Sequence, residues 1–474
     1  MKDSRMRVGF LVGLGLGLLL LTAPVHGQSF TKHIIGGNLI WASGVATADV
    51  DGDGDIDVVA TGATANEVAW YENDGAQNFT MRVVDNTLAG ARSCYGVDLD
   101  QDGDVDIVAA ASGAGVIIWY ENDGSQNFTP HTIVSGLGTA WNILVVDLDQ
   151  DGDLDVVATA SGTTNAVNWY ENDGLQNFTG HTVDPYLEGA QGLYVIDLDQ
   201  DGDLDVVACG IFGDQVRWYE NDGNQVFTLF LVDPFFNGSN DVFAGDLDND
   251  GDYDIVASGS QDNLVKWYEN DGFQSFTGHT VAILPGARAV FLADINGDSL
   301  LDIVAASLSL DMVLWYENTG GGIFVPHIID DFLDLAFKLW VVDLDDDGDL
   351  DVLATGGLAN DLVWYESDLV GIRENGFQTV SLCGISEVSN RPNPLTTHTI
   401  FHFDVEKPMS LALRIYDVSG RLVQTSVHYA PKAGHTQLFW NRWDSQGAKV
   451  PAGVYFYAVA TPGSVRTGQM CVVD

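Results

Sequence analysis

Seven times along this chain, nine residues spell nearly the same acidic word. The windows are Asp49–Asp57, Asp98–Asp106, Asp147–Asp155, Asp197–Asp205, Asp246–Asp254, Asp294–Asp302 and Asp343–Asp351. Asp197-Leu-Asp-Gln-Asp-Gly-Asp-Leu-Asp205 is representative, and the first aspartates are 48 to 50 residues apart. So regular a period is a structural repeat. At this length, with strand-like units, it predicts a propeller or a similar array.

Half of the chain's 68 acidic residues lie in these windows. Carboxylates about 4 Å apart repel by roughly 4 kcal/mol at an effective dielectric near 20, so such a loop requires a cation to close. Oxygen ligands at positions 1, 3, 5 and 9, with glycine at position 6 for the sharp turn, suit a hard ion. Position 7, Asp203 in the fourth copy, would add its backbone carbonyl. The candidate ligands are Asp49, Asp51, Asp53 and Asp57; Asp98, Asp100, Asp102 and Asp106; Asp147, Asp149, Asp151 and Asp155; and Asp197, Asp199, Asp201 and Asp205. They continue with Asp246, Asp248, Asp250 and Asp254; Asp294, Asn296, Asp298 and Asp302; and Asp343, Asp345, Asp347 and Asp351. The first half of each loop reads like an EF-hand loop, but position 9 closes it in place of a glutamate at position 12. Five or more protein oxygens in a flexible loop favour calcium over magnesium, and up to seven calcium ions are expected.

The repeat, a strand, then DxDxDGxxD, then a strand, resembles the FG-GAP/VCBS type of calcium-binding propeller repeat, also seen in integrin α-subunit head domains. The resemblance covers roughly residues 28–368 and implies a calcium-binding propeller. The sixth copy departs from it, with Asn296 at position 3 and Ser299 where the glycine stands elsewhere. That site is expected to bind most weakly.

Within each unit the chain reads as four strands. In the fourth unit Leu193–Ile196 runs into the aspartate loop and Val206–Cys209 leaves it. A third strand carries Trp218-Tyr-Glu-Asn221, an Asn-Asp-Gly turn follows, and a fourth begins at Phe227-Thr228. Alternating apolar residues and tight turns fit antiparallel blades. The seventh unit stops after Trp364-Tyr-Glu366 and lacks its Phe-Thr strand. An orphan copy stands at the other end, where Gln28-Ser-Phe-Thr-Lys-His-Ile-Ile35 matches Gln126-Asn-Phe-Thr-Pro-His-Thr-Ile133. The expected fold is therefore all-β: a seven-bladed β-propeller whose last blade is closed by the N-terminal strand, which leaves no open sheet edge.

Residues 1–27 read as a signal peptide. Lys2, Arg5 and Arg7 precede the apolar run Val8–Thr22, and Val25-His-Gly27 offers small residues for cleavage. An uncleaved anchor is the alternative, although the run is short for a membrane span. No transmembrane span is expected after cleavage, which places the protein outside the cell or on its outer surface. A formal charge of −49 excludes nucleic acid and acidic membrane surfaces as partners.

Recurrence and variation separate framework from function. The Trp-Tyr pairs recur in every blade, and neighbours on a strand face opposite ways, so packing between blades is expected of them. His33, His131, His181, His279 and His327 share one place on the outer strand and lie on different blades, too far apart to share a metal. Asn78, Asn127 and Asn177 match a glycosylation acceptor formally and recur with the strand. Seven residues before each aspartate loop a small residue stands in every unit. The position after it varies: Ser43, Arg92, Trp141, Gln191, Asn240, Arg288 and Phe337. These seven are expected to ring one mouth of the central channel and to form the ligand-binding face, for a glycan or a protein. Drift in a loop without function is the competing explanation. No Gly-x-Ser-x-Gly elbow, His-Glu-x-x-His or Walker loop occurs. A non-catalytic binding or adhesion module is the favoured function. The alternative is a calcium-dependent polysaccharide-degrading enzyme of lyase type using Arg92, Arg288 or Lys338.

Beyond residue 368 the repeat ends. Residues 369–389 form a linker, and 390–474 alternate strands and glycine turns as a small β-sandwich does. The words Leu413-Arg-Ile-Tyr-Asp417-Val-Ser-Gly-Arg421, Trp440-Asn-Arg-Trp-Asp444 and Val450-Pro-Ala-Gly-Val-Tyr-Phe-Tyr457 closely resemble the C-terminal sorting domain of type IX-secreted bacterial proteins and the related FlgD-like immunoglobulin-type domain. The resemblance implies an immunoglobulin-like β-sandwich that addresses or anchors the protein through the secretion machinery. Its last strand, Gln469–Asp474, lacks the basic residues usual there. Cys383 and Cys471 could pair; Cys94 and Cys209 read as buried free thiols.

Overall fold

A computed structural model of the protein describes residues 28–37 and 39–369. In the C-terminal part it describes 389–391, 395–405, 409–416, 422–430, 432, 434–443, 449–461 and 464–473. The export segment 1–27, most of the linker and Cys383 lie outside the described residues. Every described element is a β-strand. The chain divides into two compact units between residues 372 and 373.

The first unit is a seven-bladed propeller of four-stranded antiparallel sheets. Blades 1 to 6 span residues 42–85, 91–135, 139–184, 190–233, 239–283 and 287–330. Blade 7 takes three strands from 336–369 and its outermost from Gln28–Gly36. The N-terminal strand pairs antiparallel with Asp361–Leu369, so that Gln28 faces Leu369 and His33 faces Trp364. The orphan strand and the unit that lacks one complete each other, as the repeat count requires.

The cores lie between blades. The tryptophan of one blade shares a core with the tyrosine of the next: Trp70 with Tyr120, Trp119 with Tyr170, Trp169 with Tyr219 and Trp218 with Tyr268. Trp267 with Tyr316 and Trp315 with Tyr365 continue the series, and Trp364 with Tyr71 carries it across the closure. All fourteen rings are buried. Alternation along the strand is the cause, sending one ring to each flank of its blade. Four of the tyrosines also tie neighbouring blades by hydrogen bonds. Tyr120, Tyr219, Tyr268 and Tyr365 donate to Asp85, Asp184, Asp233 and Asp330 at 2.7 to 3.0 Å.

The five histidines each stack on the tryptophan opposite and sit 2.7 to 2.8 Å from the glutamate of the same Trp-Tyr-Glu strand. Asn78, Asn127 and Asn177 each turn their amide onto both oxygens of Asp74, Asp123 or Asp173 and so close the hairpin turn. That local bond explains why the Asn-Phe-Thr triplet recurs. Cys94 and Cys209 are buried free thiols, and burial pushes both up to about 12.

In the second unit, strands Ser389–Arg391, Thr399–Val405 and Gly434–Trp440 form one sheet. Leu422–Ala430, Met409–Tyr416, Gly453–Thr461 and Ser464–Val472 form another. Phe401, Phe403, Leu413, Ile415, Trp440 and Tyr457 belong to one shared core. Arg442 is buried beside it and donates to the carbonyls of Val450, Thr396 and Val473.

Candidate functional site

Each inner strand of the propeller runs from a variable residue at one end to an aspartate loop at the other. The two ends are different kinds of site.

At the loop end, backbone N–H groups are gathered onto carboxylates. In all seven copies the first aspartate accepts the N–H of position 6, at 2.8 to 3.1 Å. Position 5 accepts from position 7 in the same way, as Asp203 N–H does to Asp201 at 3.0 Å. Positive φ is needed at position 6, where Gly202 stands at 106°, and Ser299 adopts 73° in the sixth loop without being glycine. The carboxylates converge. Oxygens of Asp49, Asp51 and Asp53 lie within 4.8 Å of one another, as do those of Asp197, Asp199 and Asp201, and of Asp246, Asp248 and Asp250. Burial, then the neighbouring aspartate, raises the position-3 carboxyls; Asp345 reaches about 6. One oxygen each of Asp49, Asp197 and Asp345 is buried without any hydrogen-bond donor. A hard cation would supply the partner such an oxygen lacks, and the donor set fits calcium.

Position 9 has a role that the spacing did not disclose. Asp205 is fully buried, and its two oxygens accept the N–H groups of Leu198 and Asn221 at 3.1 and 2.7 Å. Asp57, Asp106, Asp155, Asp254, Asp302 and Asp351 do the same in their blades. These carboxylates staple the loop to the third strand, and burial pushes them up to about 6 or 7. In at least two loops they also stand within 4.8 Å of positions 1 and 3, as Asp106 does beside Asp98 and Asp100. Each oxygen keeps a second lone pair for an ion.

Adjacent loops are also linked. The position-4 glutamines Gln101, Gln150 and Gln200 donate to the glycine carbonyls of the next loops, Gly152, Gly202 and Gly251, at 2.5 to 2.6 Å.

At the other end of the inner strands, Ser43, Arg92, Trp141, Gln191, Asn240, Arg288 and Phe337 all line one cavity of about 260 Å³. A break in the ladder aims them there. In every blade the strand pairing slips at this residue, so that Ala140 faces Ala160 and Asn142 faces Thr159 while Trp141 has no partner. Such a bulge re-aims the side chain it carries. The guanidinium of Arg92 lies 4.2 Å from the Trp141 ring centre and that of Arg288 lies 4.3 Å from the Phe337 ring centre. Arg288 donates to Gln191 and Asn240, both at 3.0 Å. Burial lowers both arginines, and Arg288 falls to about 10. Lys338 approaches Asp241 at 3.5 Å.

Three residues beyond the variable position stands a second tier that the sequence reading overlooked. Tyr95, Tyr194, Phe243, Phe291 and Trp340 line the lower cavity, and their rings pair edge to face, stacked or tilted. Aligning the seven inner strands would have revealed it, since no other position in those strands carries such an aromatic run.

Known proteins bear on the repeat. The FG-GAP-like repeat family matches six times, at residues 49–109, 98–158, 147–208, 197–257, 246–305 and 294–354. No curated protein matches the chain. Among solved structures, BBS1N in complex with ARL6DN is 14% identical, with 71% of this chain and 95% of that one covered and a TM-score of 0.49. PorZ, a bacterial surface component of the type-IX secretion system of Porphyromonas gingivalis, is also 14% identical. There 88% of this chain and 58% of that one are covered, with a TM-score of 0.44.

Proposed function

This chain belongs to the FG-GAP-like repeat family, and on that footing we propose that it is an exported, calcium-stabilised propeller that binds a glycan or protein without catalysis. The observation that carries the reading is the division of each inner strand. Its loop end repeats in all seven blades, while its mouth end presents seven side chains, of six residue types, to one cavity.

Calcium would be held by positions 1, 3 and 5 of each loop, with position 9 adding an oxygen. When bound, it neutralises carboxylates that otherwise repel, and its role is structural. The orphaned oxygens of Asp49, Asp197 and Asp345 support this. Export would use residues 1–27. The two-sheet unit within 390–474 would serve as a sorting or anchoring domain, read by the secretion machinery. Its shared core supports a sandwich-like module.

Arg92, Arg288 and Lys338 share the cavity, which is what a lyase reading needs. The loop ions could not assist it there. Arg288 and Asp294, the latter just past the end of the same strand, are six residues apart, about 20 Å at roughly 3.3 Å per residue. No histidine lines the cavity, and its one carboxylate is paired with Lys338.

The test is a thermal melt with calcium and with excess chelator, followed by glycan and peptide screens in calcium. A fall of tens of degrees on chelation and a ligand recovered unchanged are expected. An unmoved midpoint removes the calcium, and release of unsaturated sugar ends removes the non-catalytic reading.

A further inference from the structure

The mouth cavity holds more positive charge than its own residues neutralise. Arg288 is only 6% exposed, and its partners Gln191 and Asn240 are uncharged. Arg92 stands close enough to oppose its charge. The single acid in the lining, Asp241, lies 3.5 Å from Lys338 and also attracts Arg288, so one carboxylate serves three cations. Among the described residues no ion pair involves either arginine. Cations drawn into one cavity with fewer anions than charges are costly. Yet a chain with 19 lysines and arginines against 68 acids puts three of those cations here.

A second observation lies outside the cavity, on the same face. Tyr186, Phe235, Ile283 and Phe332 are 78 to 81% exposed. Each stands five residues before a cavity-lining side chain, namely Gln191, Asn240, Arg288 and Phe337. They form an apolar crescent over blades 4 to 7. The same position carries Thr87 in blade 2 and Gly136 in blade 3, so the crescent is one-sided. Exposed apolar groups at equivalent places on the segments that lead into the cavity wall mark an interaction surface, and aromatic faces suit rings with an apolar side.

We propose that the mouth receives the carboxylate of an acidic sugar, held between Arg92 and Arg288, while adjoining sugar rings lie on the crescent of Tyr186, Phe235 and Phe332. This rests on the binding function above and names its ligand class. Paired guanidiniums recognise a carboxylate by charge-assisted hydrogen bonds, and the ligand's charge supplies what the cavity lacks. In so acidic a molecule the two arginines also discriminate by position: an anionic chain is repelled elsewhere and accepted only at the mouth.

Calorimetric titration of the full chain in calcium tests this, using a galacturonic acid trisaccharide against neutral maltotriose. The acidic trisaccharide is expected to bind on the order of 10- to 100-fold tighter, as hydrogen bonds to charged groups imply. R92M and R288M should each remove that preference. Their melting midpoints report folding and so separate a lost anion site from a lost structure. Tyr186→Ala should weaken the trisaccharide and leave galacturonic acid monosaccharide binding unchanged. Equal binding of both trisaccharides overturns the proposal and leaves the binding module standing. Binding of neither, or acidic binding that survives both arginine variants, also overturns it. Cleavage of the acidic chain, lost in R92M and R288M, keeps the anion site and removes only the non-catalytic reading.

Discussion

At the residue scale, the aspartates of one loop divide into two kinds. Asp205 holds two buried N–H groups, whereas Asp201 is exposed and bonds only within its own turn. Asp205→Ala leaves two buried donors unpaired at about 1–3 kcal/mol each. It should therefore lower stability by several kcal/mol even in chelator. Asp201→Ala should change the chelated protein by less than about 1 kcal/mol and show its deficit only when calcium is added. Urea midpoints of both variants, with and without calcium, check this; equal losses in chelator would sink the distinction. The sequence disclosed which carboxylates cluster, because the ligand spacing is periodic. It did not disclose that position 9 is a staple. That role depends on Asn221, 16 residues away on a neighbouring strand, and nothing in the loop's own pattern encodes it. Ser299 is similar: its missing glycine was legible, but that a serine would accept the left-handed turn was not.

At the scale of strands, the count of units was enough to place the N-terminal strand in blade 7, since one strand was missing and one was spare. The variable ring was legible for the same reason, as an offset repeated in seven copies. The bulge beneath it was not. A slip in pairing arises where inner strands crowd towards the axis, and Gly44 illustrates the crowding: a Cβ there would come within 2.7 Å of the Arg92 carbonyl in the next blade. Removing residues 28–36 should expose the whole edge of Asp361–Leu369, and an uncovered edge recruits other chains. Light scattering after size exclusion should then show oligomers where the parent is monodisperse in the same buffer. A monodisperse truncated protein with an unchanged melt would mean that the closure strand contributes little.

For the whole molecule, acid and calcium should act against each other. The position-9 carboxyls stand at about 6 to 7 when folded, against an ordinary value of 3.8. The folded state thus keeps protons that the unfolded chain releases. Its stabilising contribution is complete below pH 3.8 and is lost as pH rises through about 7. In chelator the melting midpoint should therefore fall from pH 5 to pH 8. Calcium, which adds about 2.7 kcal/mol per site at 100 times its dissociation constant, must displace those protons. Its increment should grow over the same range. Melts at three pH values with and without calcium read both slopes, and a chelated midpoint that climbs with pH would contradict the burial of these groups.

The stitch between the two ends of the propeller also governs time. His33 and Glu366 meet across 333 residues of chain, and closing so long a loop costs roughly 5 kcal/mol of chain entropy by the logarithmic rule. Nothing repays that entropy until the blades it joins exist, so the join is made once and late. The first six blades are contiguous in sequence and can reform wherever they fray. The seventh cannot. How long the ring persists between openings is thus decided at a single edge, by one nine-residue strand that belongs to the beginning of the chain and serves its end.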